Sequence, residues 1–312
     1  MAIVPVDKPM TSALCTETIG KLLERYPLFR TDTLTTTAFG RPIEALTLGQ
    51  GERKVIFSAS HHANEWITTP VLLKFAEELA EAAETGGRLF GVKADTILKA
   101  ATIYLVPMVD PDGVDLVTGA IGPRRAEYEA AREIAGDFPD IPFPDGWKAN
   151  LKGVDLNLQY PAGWLLAREI KFAQGFNRPA PRDYVGRAPL SQRESKALAE
   201  FTEAIDPDLV IALHTQGKVI YWQFRDYQVP GARALAEEFA RLSGYALEDT
   251  PYESSFAGYK DWFILNWRRP GFTIECGLGD NPLPLSQFDE IYRDVLGILV
   301  TAATGLPGQK TM

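Results

Sequence analysis

The chain has 312 residues, 46% hydrophobic and 23% charged, with 32 basic against 41 acidic side chains. That balance excludes a disordered, coiled-coil or collagen-like chain, and the length suffices to bury a large core without disulfide staples. The net charge of −9 disfavours nucleic acid as the main partner, because phosphate binding needs a basic surface; a local basic pocket for an anionic substrate stays open.

Residues 12–25 place apolar groups at helical spacing and end before Pro27, which predicts a helix. Two short strands follow at 44–49 and 54–60, separated by the turn residues Gly49 and Gly51. The run from Trp66 to about Glu84 predicts an amphipathic helix, with Pro70 tolerable only in its first turn. A dense apolar strand at 101–108 is expected to end in a DPDG turn. Region 137–190, rich in Pro, Gly and aromatic residues, reads as long functional loops. Beyond it come a helix at 191–205, strands at 208–214 and 218–224, and a helix at 230–243. A polar loop at 248–256, a short helix near 257–267, a strand at 271–276 and a helix at about 284–303 complete the pattern. Strands alternating with helices, several too apolar to face water, predict an α/β sheet covered by helices on both faces. Sites in such sheets gather at the carboxyl ends of the strands, here SASHH, PMVDPDG, ALHTQ and IECG.

Cys15 and Cys276 are too far apart in sequence to suggest a bridge framework, so buried thiols in a cytosolic chain are expected. The stretch MAIVPVDKPM lacks the pattern of a signal peptide. No run approaches the roughly 18 apolar residues of a membrane span. A cytoplasmic protein without membrane partners is therefore expected.

The chain has three histidines, His61, His62 and His214, all placed just after or at the end of predicted strands. His62 and Glu65 stand three apart, so at the opening of a helix they share a face and can grip one metal ion. A catalytic zinc site takes three protein ligands and keeps one position open. His62, Glu65 and His214 supply two imidazoles and a carboxylate. Singly, each has a plainer reading: a solvated pair for His62 and Glu65, a core histidine for His214. Together, at the mouth of one sheet, they are hard to explain as packing.

The segment SHHANEWITTP resembles the zinc-binding segment of the M14 metallocarboxypeptidases, and VPMVDPDGVDL, GWKANLKGVDLN, ALHTQG and GYKDWFILNWRRPGFTIECG follow in that family's order. The resemblance runs from about residue 12 to 303. It implies a carboxypeptidase-like α/β sandwich with a central mixed sheet, formed by the whole of residues 1–312 as a single peptidase domain. It also implies one zinc ion held by His62, Glu65 and His214, with Asp155 orienting the first histidine. Glu275 then matches the catalytic glutamate, general base toward the attacking water and proton donor to the leaving amine. An acid at the end of an apolar strand is costly unless paired or functional, so a purely structural role for Glu275 is disfavoured. Asp155 has a plainer alternative as a turn-capping aspartate.

Two matches are imperfect. Lys148 follows Trp147 where the family has an oxyanion-stabilising arginine, and it offers a point charge without the planar fork. The substrate-covering tyrosine is assigned to Tyr252, with Tyr259 as the other candidate. A third difference bears on substrate. The family's carboxylate-gripping arginine follows the asparagine of Asp-x-Asn; here Asn157 is present, as a substrate-binding residue, but Leu158 follows it. Removal of ordinary C-terminal residues is therefore doubtful, since a buried carboxylate needs a bidentate partner.

GVDLNLQYPAGW, APRDYVG, PLSQRESKALAEF and HTQGKVIYW resemble a bacterial branch containing γ-D-glutamyl-L-diamino acid endopeptidases, which act on cell-wall peptides. A peptidase domain without the LysM repeats that some members of the branch carry is expected, which suits small soluble muropeptides as substrates. Lys260 aligns with the base of the pocket for the residue after the cut bond, and a lysine there suits the side-chain carboxylate of meso-diaminopimelate; an exposed helix lysine is the plainer reading. The alternatives are an ordinary metallocarboxypeptidase, an N-acyl-amino-acid deacylase of related fold, or a non-catalytic binding protein. A serine hydrolase is disfavoured, as no G-x-S-x-G elbow occurs and no histidine remains for a triad.

Overall fold

The structure is a computed structural model and describes residues 2–305. Its strands are β1 (Arg30–Thr36), β2 (Pro42–Gly49), β3 (Arg53–Ala59), β4 (Arg88–Leu89), β5 (Val92–Lys93), β6 (Ala101–Val106), β7 (Leu209–His214), β8 (Val219–Tyr221), β9 (Ala246–Glu248) and β10 (Gly271–Glu275). Eight of them form one mixed sheet in the order β1-β2-β6-β3-β7-β10-β8-β9, while β4 and β5 make a separate ribbon. The centre of the sheet, β6-β3-β7-β10, is parallel. The helices are α1 (Ser12–Arg25), α2 (Thr68–Thr85), α3 (Ala94–Ala100), α4 (Pro111–Val117), α5 (Ala126–Gly136), α6 (Trp164–Ala173), α7 (Arg193–Ile205), α8 (Ala232–Ser243), α9 (Tyr259–Trp267) and α10 (Phe288–Thr304).

Two cores lie on opposite faces of the sheet. Alternation along β7 sends Leu209, Ile211 and Leu213 into one, with α2, α8 and α10, and Val210 and Ala212 into the other, with α7 and α9. This two-sided burial explains why DLVIALH reads as an unbroken apolar run rather than an alternating one. In α1, Thr11 caps the first turn by accepting from the Leu14 N–H at 3.2 Å, and Cys15, Ile19 and Leu22 form the buried stripe. Gly86, at φ 65°, closes α2 in the left-handed region.

Several expectations need correcting. The DPDG segment does not form a simple turn; it opens α4, with Asp110 capping the Gly113 N–H at 3.0 Å and Pro111 in the first turn. A Cβ on Gly113 would come within 2.2 Å of Asp110 Oδ2 and 2.6 Å of the Ala149 carbonyl, so only glycine fits there. The region 137–190 is not all loop, since α6 runs through it, and α5 precedes it. Neither helix has a side-chain hydrogen bond at its N-cap, so the usual start signal is missing from their sequences. The strand at 218–224 is shorter than expected, and the loop at 248–256 begins in β9.

Candidate active site

The mouth of the sheet is built where β3, β7 and β10 end. After β3 the chain bends through Ser60, at φ 49°, whose N–H donates to Thr68 Oγ1 at 3.0 Å. Thr68 Oγ1 itself donates to the Glu65 carbonyl at 2.8 Å. These bonds fold residues 60–68 into a tight entry to α2, with a 3-10 turn at Ala63–Glu65. His62 and Glu65 consequently face each other, Nδ1 to Oε1, at 2.9 Å. His214, the last residue of β7, brings its Nδ1 to 2.9 Å from Glu65 Oε2 and 3.2 Å from His62 Nδ1. The Thr215 N–H donates to the same carboxylate at 3.2 Å.

These contacts fit a metal ion better than a proton network. His62 Nε2 lies 3.2 Å from Asp155 Oδ1. With that nitrogen protonated, its Nδ1 lone pair points inward at a carboxylate and at a second imidazole nitrogen. One donor atom from each of His62, Glu65 and His214 lies within 4.8 Å of the others, all buried. Tetrahedral zinc with ordinary bond lengths separates its ligands by about 3.3 Å, close to the spacings found here. Burial opposes charge on His62, yet Glu65 and Asp155 outweigh it and hold the imidazole up to about 9. Burial would raise Glu65, but His62, Lys148 and His214 keep it well below the usual carboxylate range. The cluster is poised to receive positive charge.

Asp155 both contacts His62 and caps the turn that follows it. Its Oδ1 also accepts the Asn157 N–H at 3.1 Å, and its Oδ2 accepts the Asp183 N–H at 3.2 Å. Although burial would raise it, His62 leads the groups that hold it far below the ordinary aspartate range. Glu275 ends β10 directly beside His214. Burial raises its carboxyl above the usual glutamate value, with His214 opposing and Glu65 adding to the rise. A half-buried carboxylate of raised basicity beside a metal cluster is suited to accept and return a proton.

Residues 15–296 match the zinc carboxypeptidase family, M14 peptidases. The chain belongs to that family. It is 43% identical over 282 residues to γ-D-glutamyl-L-diamino acid endopeptidase 1 of Lysinibacillus sphaericus, covering 90% of this chain and 69% of the relative. It is 27% identical over 259 residues to bovine carboxypeptidase B, covering 77% of this chain and 56% of that protein. Among solved structures, bovine thrombin-activatable fibrinolysis inhibitor matches 96% of this chain and 97% of its own, with a TM-score of 0.72 at 17% identity. The murein-tripeptide amidase MpaA of Escherichia coli O157 covers 89% and 93%, with a TM-score of 0.53 at 18% identity. These structural likenesses establish the carboxypeptidase-like fold.

The remaining expected residues of this zinc peptidase fall into place unequally. Lys148 lines the cleft with Nζ 3.1 Å from Glu65 Oε1, beside the metal cluster. Asn157 lines the same cleft, and its Oδ1 accepts the Tyr259 N–H at 3.1 Å. Lys260 is buried at the cleft rather than exposed on its helix, donating to Asp261 Oδ1 and the Gln223 carbonyl. Tyr259 is fully buried, its hydroxyl 2.8 Å from Thr202 Oγ1, so it cannot cover a substrate. Tyr252 is 62% exposed and sits edge-on to Phe256, lining an adjoining cavity rather than the zinc cleft. His61 is buried and stacks on His214 at 5.4 Å.

Sequence reasoning missed four charged residues at the cleft: Lys171, Arg182, Asp183 and Asp261, the last of which pairs with Lys260. Two lie in APRDYVG, a stretch quoted only for its resemblance, and Lys171 lies on the missed helix α6. Their signal, a basic pair of residues in an acidic chain, is too common to single out.

Proposed function

We propose that this zinc peptidase hydrolyses the amide bond between a γ-linked D-glutamyl residue and a diamino acid, meso-diaminopimelate or L-lysine, in cell-wall peptides. The observation that carries the reading is the 43% identity, over 90% of the chain, to the Lysinibacillus sphaericus endopeptidase. Leu158, where an arginine would grip an ordinary C-terminal carboxylate, and buried Lys260 at the cleft support it.

In this reading His62, Glu65 and His214 hold the zinc ion, which supplies a Lewis acid and an acidified water. Asp155 holds His62 in the ligating tautomer. Glu275 takes the proton from the attacking water and passes it to the leaving amine. Lys148 offers positive charge to the oxygen of the attacked carbonyl. Asn157 and Lys260 receive the leaving residue, and Tyr252 closes over the substrate from the rim. The whole chain acts as one peptidase unit on small soluble muropeptides, with the cytoplasm as its compartment. No helix among the described residues is long and apolar enough to cross a membrane.

The test is incubation of the zinc-loaded protein with L-Ala-γ-D-Glu-meso-diaminopimelate and mass analysis of the products. Release of free diaminopimelate and L-Ala-D-Glu is expected. Intact γ-linked peptide, with C-terminal residues trimmed from ordinary α-linked peptides, would make the protein a plain carboxypeptidase.

A further inference from the structure

The cleft at the sheet mouth has two compartments. The inner one, about 200 Å³, is lined by Asn157, Lys171, Lys260 and Asp261. The outer one, about 650 Å³, is lined by Asn64, Thr215 and the acids Asp140, Asp145 and Asp280. Lys148, Arg182, Tyr221 and Glu275 line both. Residues shared in this way bracket the reacting bond, and Arg182 is the one guanidinium among the described residues lining either compartment.

The segment carrying Arg182 is bolted to the catalytic residues by its backbone. The Pro181 carbonyl accepts from the Lys148 and Ala149 N–H groups at 2.8 and 2.9 Å. The Asp155 N–H donates to the Tyr184 carbonyl at 2.9 Å, and the Asp183 N–H returns to Asp155 Oδ2 at 3.2 Å. Asp183 is itself in the left-handed region, at φ 64°, which such anchoring makes tolerable for a residue other than glycine. Its carboxylate accepts from Arg182 Nε at 2.6 Å and pairs with buried Lys171 at 2.7 Å. One carboxylate thus serves two cations and leaves a positive charge uncompensated. Among the described residues only Nε of Arg182 is engaged, so both terminal nitrogens remain available to a carboxylate in the fork geometry that lysine lacks.

We propose that Arg182, braced by Asp183 and Lys171, anchors the α-carboxylate of the amino acid released by the reaction, in place of the arginine absent at position 158. This deepens, and rests on, the peptidase reading above. The inner compartment receives that residue because its four cations, Lys148, Lys171, Arg182 and Lys260, match its four carboxylates, whereas in the outer compartment Asp140, Asp145, Asp280 and Glu275 outnumber Lys148 and Arg182 and repel a carboxylate more strongly. Leu158 packs in the core beside the cleft and offers no charge.

The experiment pairs substrate and enzyme changes. L-Ala-γ-D-Glu-meso-diaminopimelate is compared with two analogues, one with the α-carboxylate of the leaving residue as carboxamide, the other with the D-glutamyl α-carboxylate as carboxamide. Wild type should prefer the free acid over the first analogue by about ten- to a hundredfold in kcat/KM, the scale of a charge-assisted hydrogen bond. Arg182→Met should abolish that preference, raising KM for the acid by a larger factor than for the first analogue. Arg182→Lys should restore part of the preference, and melting temperature should hold throughout. An equal loss on all three substrates, or an effect that follows the D-glutamyl carboxylate instead, overturns the proposal. If wild type cleaves no γ-linked peptide, the peptidase reading fails, and benzoyl-glycyl-L-alanine against its carboxamide then decides on Arg182 by direct binding to the zinc-loaded protein. Equal affinity for that acid and amide would likewise overturn the anchor.

Discussion

Glu275 and His214 are the last paired residues of β10 and β7, directly opposite one another in a parallel register. Side chains at matched positions of neighbouring strands share a face, so one pairing sets a member of the His-Glu-His cluster and the proposed proton acceptor side by side. A one-residue slip would turn one of them to the opposite core. Gly271 to Glu275 pair without interruption with Val210 to His214, so the register is defined by buried strand, not by the site itself.

Glu275→Gln removes the proton acceptor at nearly constant volume. Turnover should fall by roughly two to four powers of ten, with zinc content and melting temperature almost unchanged. Loss of metal or of the fold in this variant would mark Glu275 as structural. Chelation of the zinc should abolish hydrolysis in the wild type as well.

Asp155→Asn keeps the cap on the Asn157 N–H but weakens the hold on His62 Nε2. Zinc affinity should drop by about 10- to 100-fold, measured by chelator competition. Unaltered affinity would leave Asp155 with only its capping role.

Lys260→Met tests whether the buried lysine reads the leaving side chain. Cleavage before meso-diaminopimelate should weaken by about 1.5–3 kcal/mol, and cleavage before L-lysine should change little. Asp261 loses its partner in that variant, so Lys260→Met with Asp261→Asn is the companion that separates recognition from folding. Parallel losses on both substrates would remove Lys260 from specificity.

Asp110 gives stability a pH dependence of predictable sign. Burial first, then nearby Glu194, pushes its carboxyl well above the ordinary aspartate value, so the fold favours its protonated form. Its contribution is complete below the unfolded pKa and is lost as pH rises toward the folded one. Asparagine caps a helix as well as aspartate does. Asp110→Asn should therefore flatten the decline in denaturation midpoint as pH rises above the ordinary aspartate range. A slope identical to wild type would show that Asp110 is ionised in the fold.

Much of the fold and the metal cluster was legible from residue order alone. The strands that lead to His62 and end in His214 and Glu275 announced themselves because burial on both faces demands unbroken apolar runs, and an acid or imidazole closing such a run is conspicuous. The His-x-x-Glu spacing needs only local geometry to bring its two side chains together. Helix α6 was hidden in a stretch whose Pro, Gly and aromatic residues read as loop, and the opening of α4 was mistaken for a turn because Asp-Pro-Asp-Gly serves both purposes.

What tertiary structure alone decided are the relations across distant segments. Sequence determined that His214 and Glu275 close strands and that His62 and Glu65 follow one closely. The tertiary structure decided that Tyr259 is sealed in the core, that Tyr252 lines the adjoining cavity, and that Lys260 is buried against Asp261. It also brought Arg182 to the reacting centre, through backbone hydrogen bonds between 180–184 and the segments bearing Lys148 and Asp155. Such bonds use peptide groups common to every residue, so no side-chain pattern along the chain announces them.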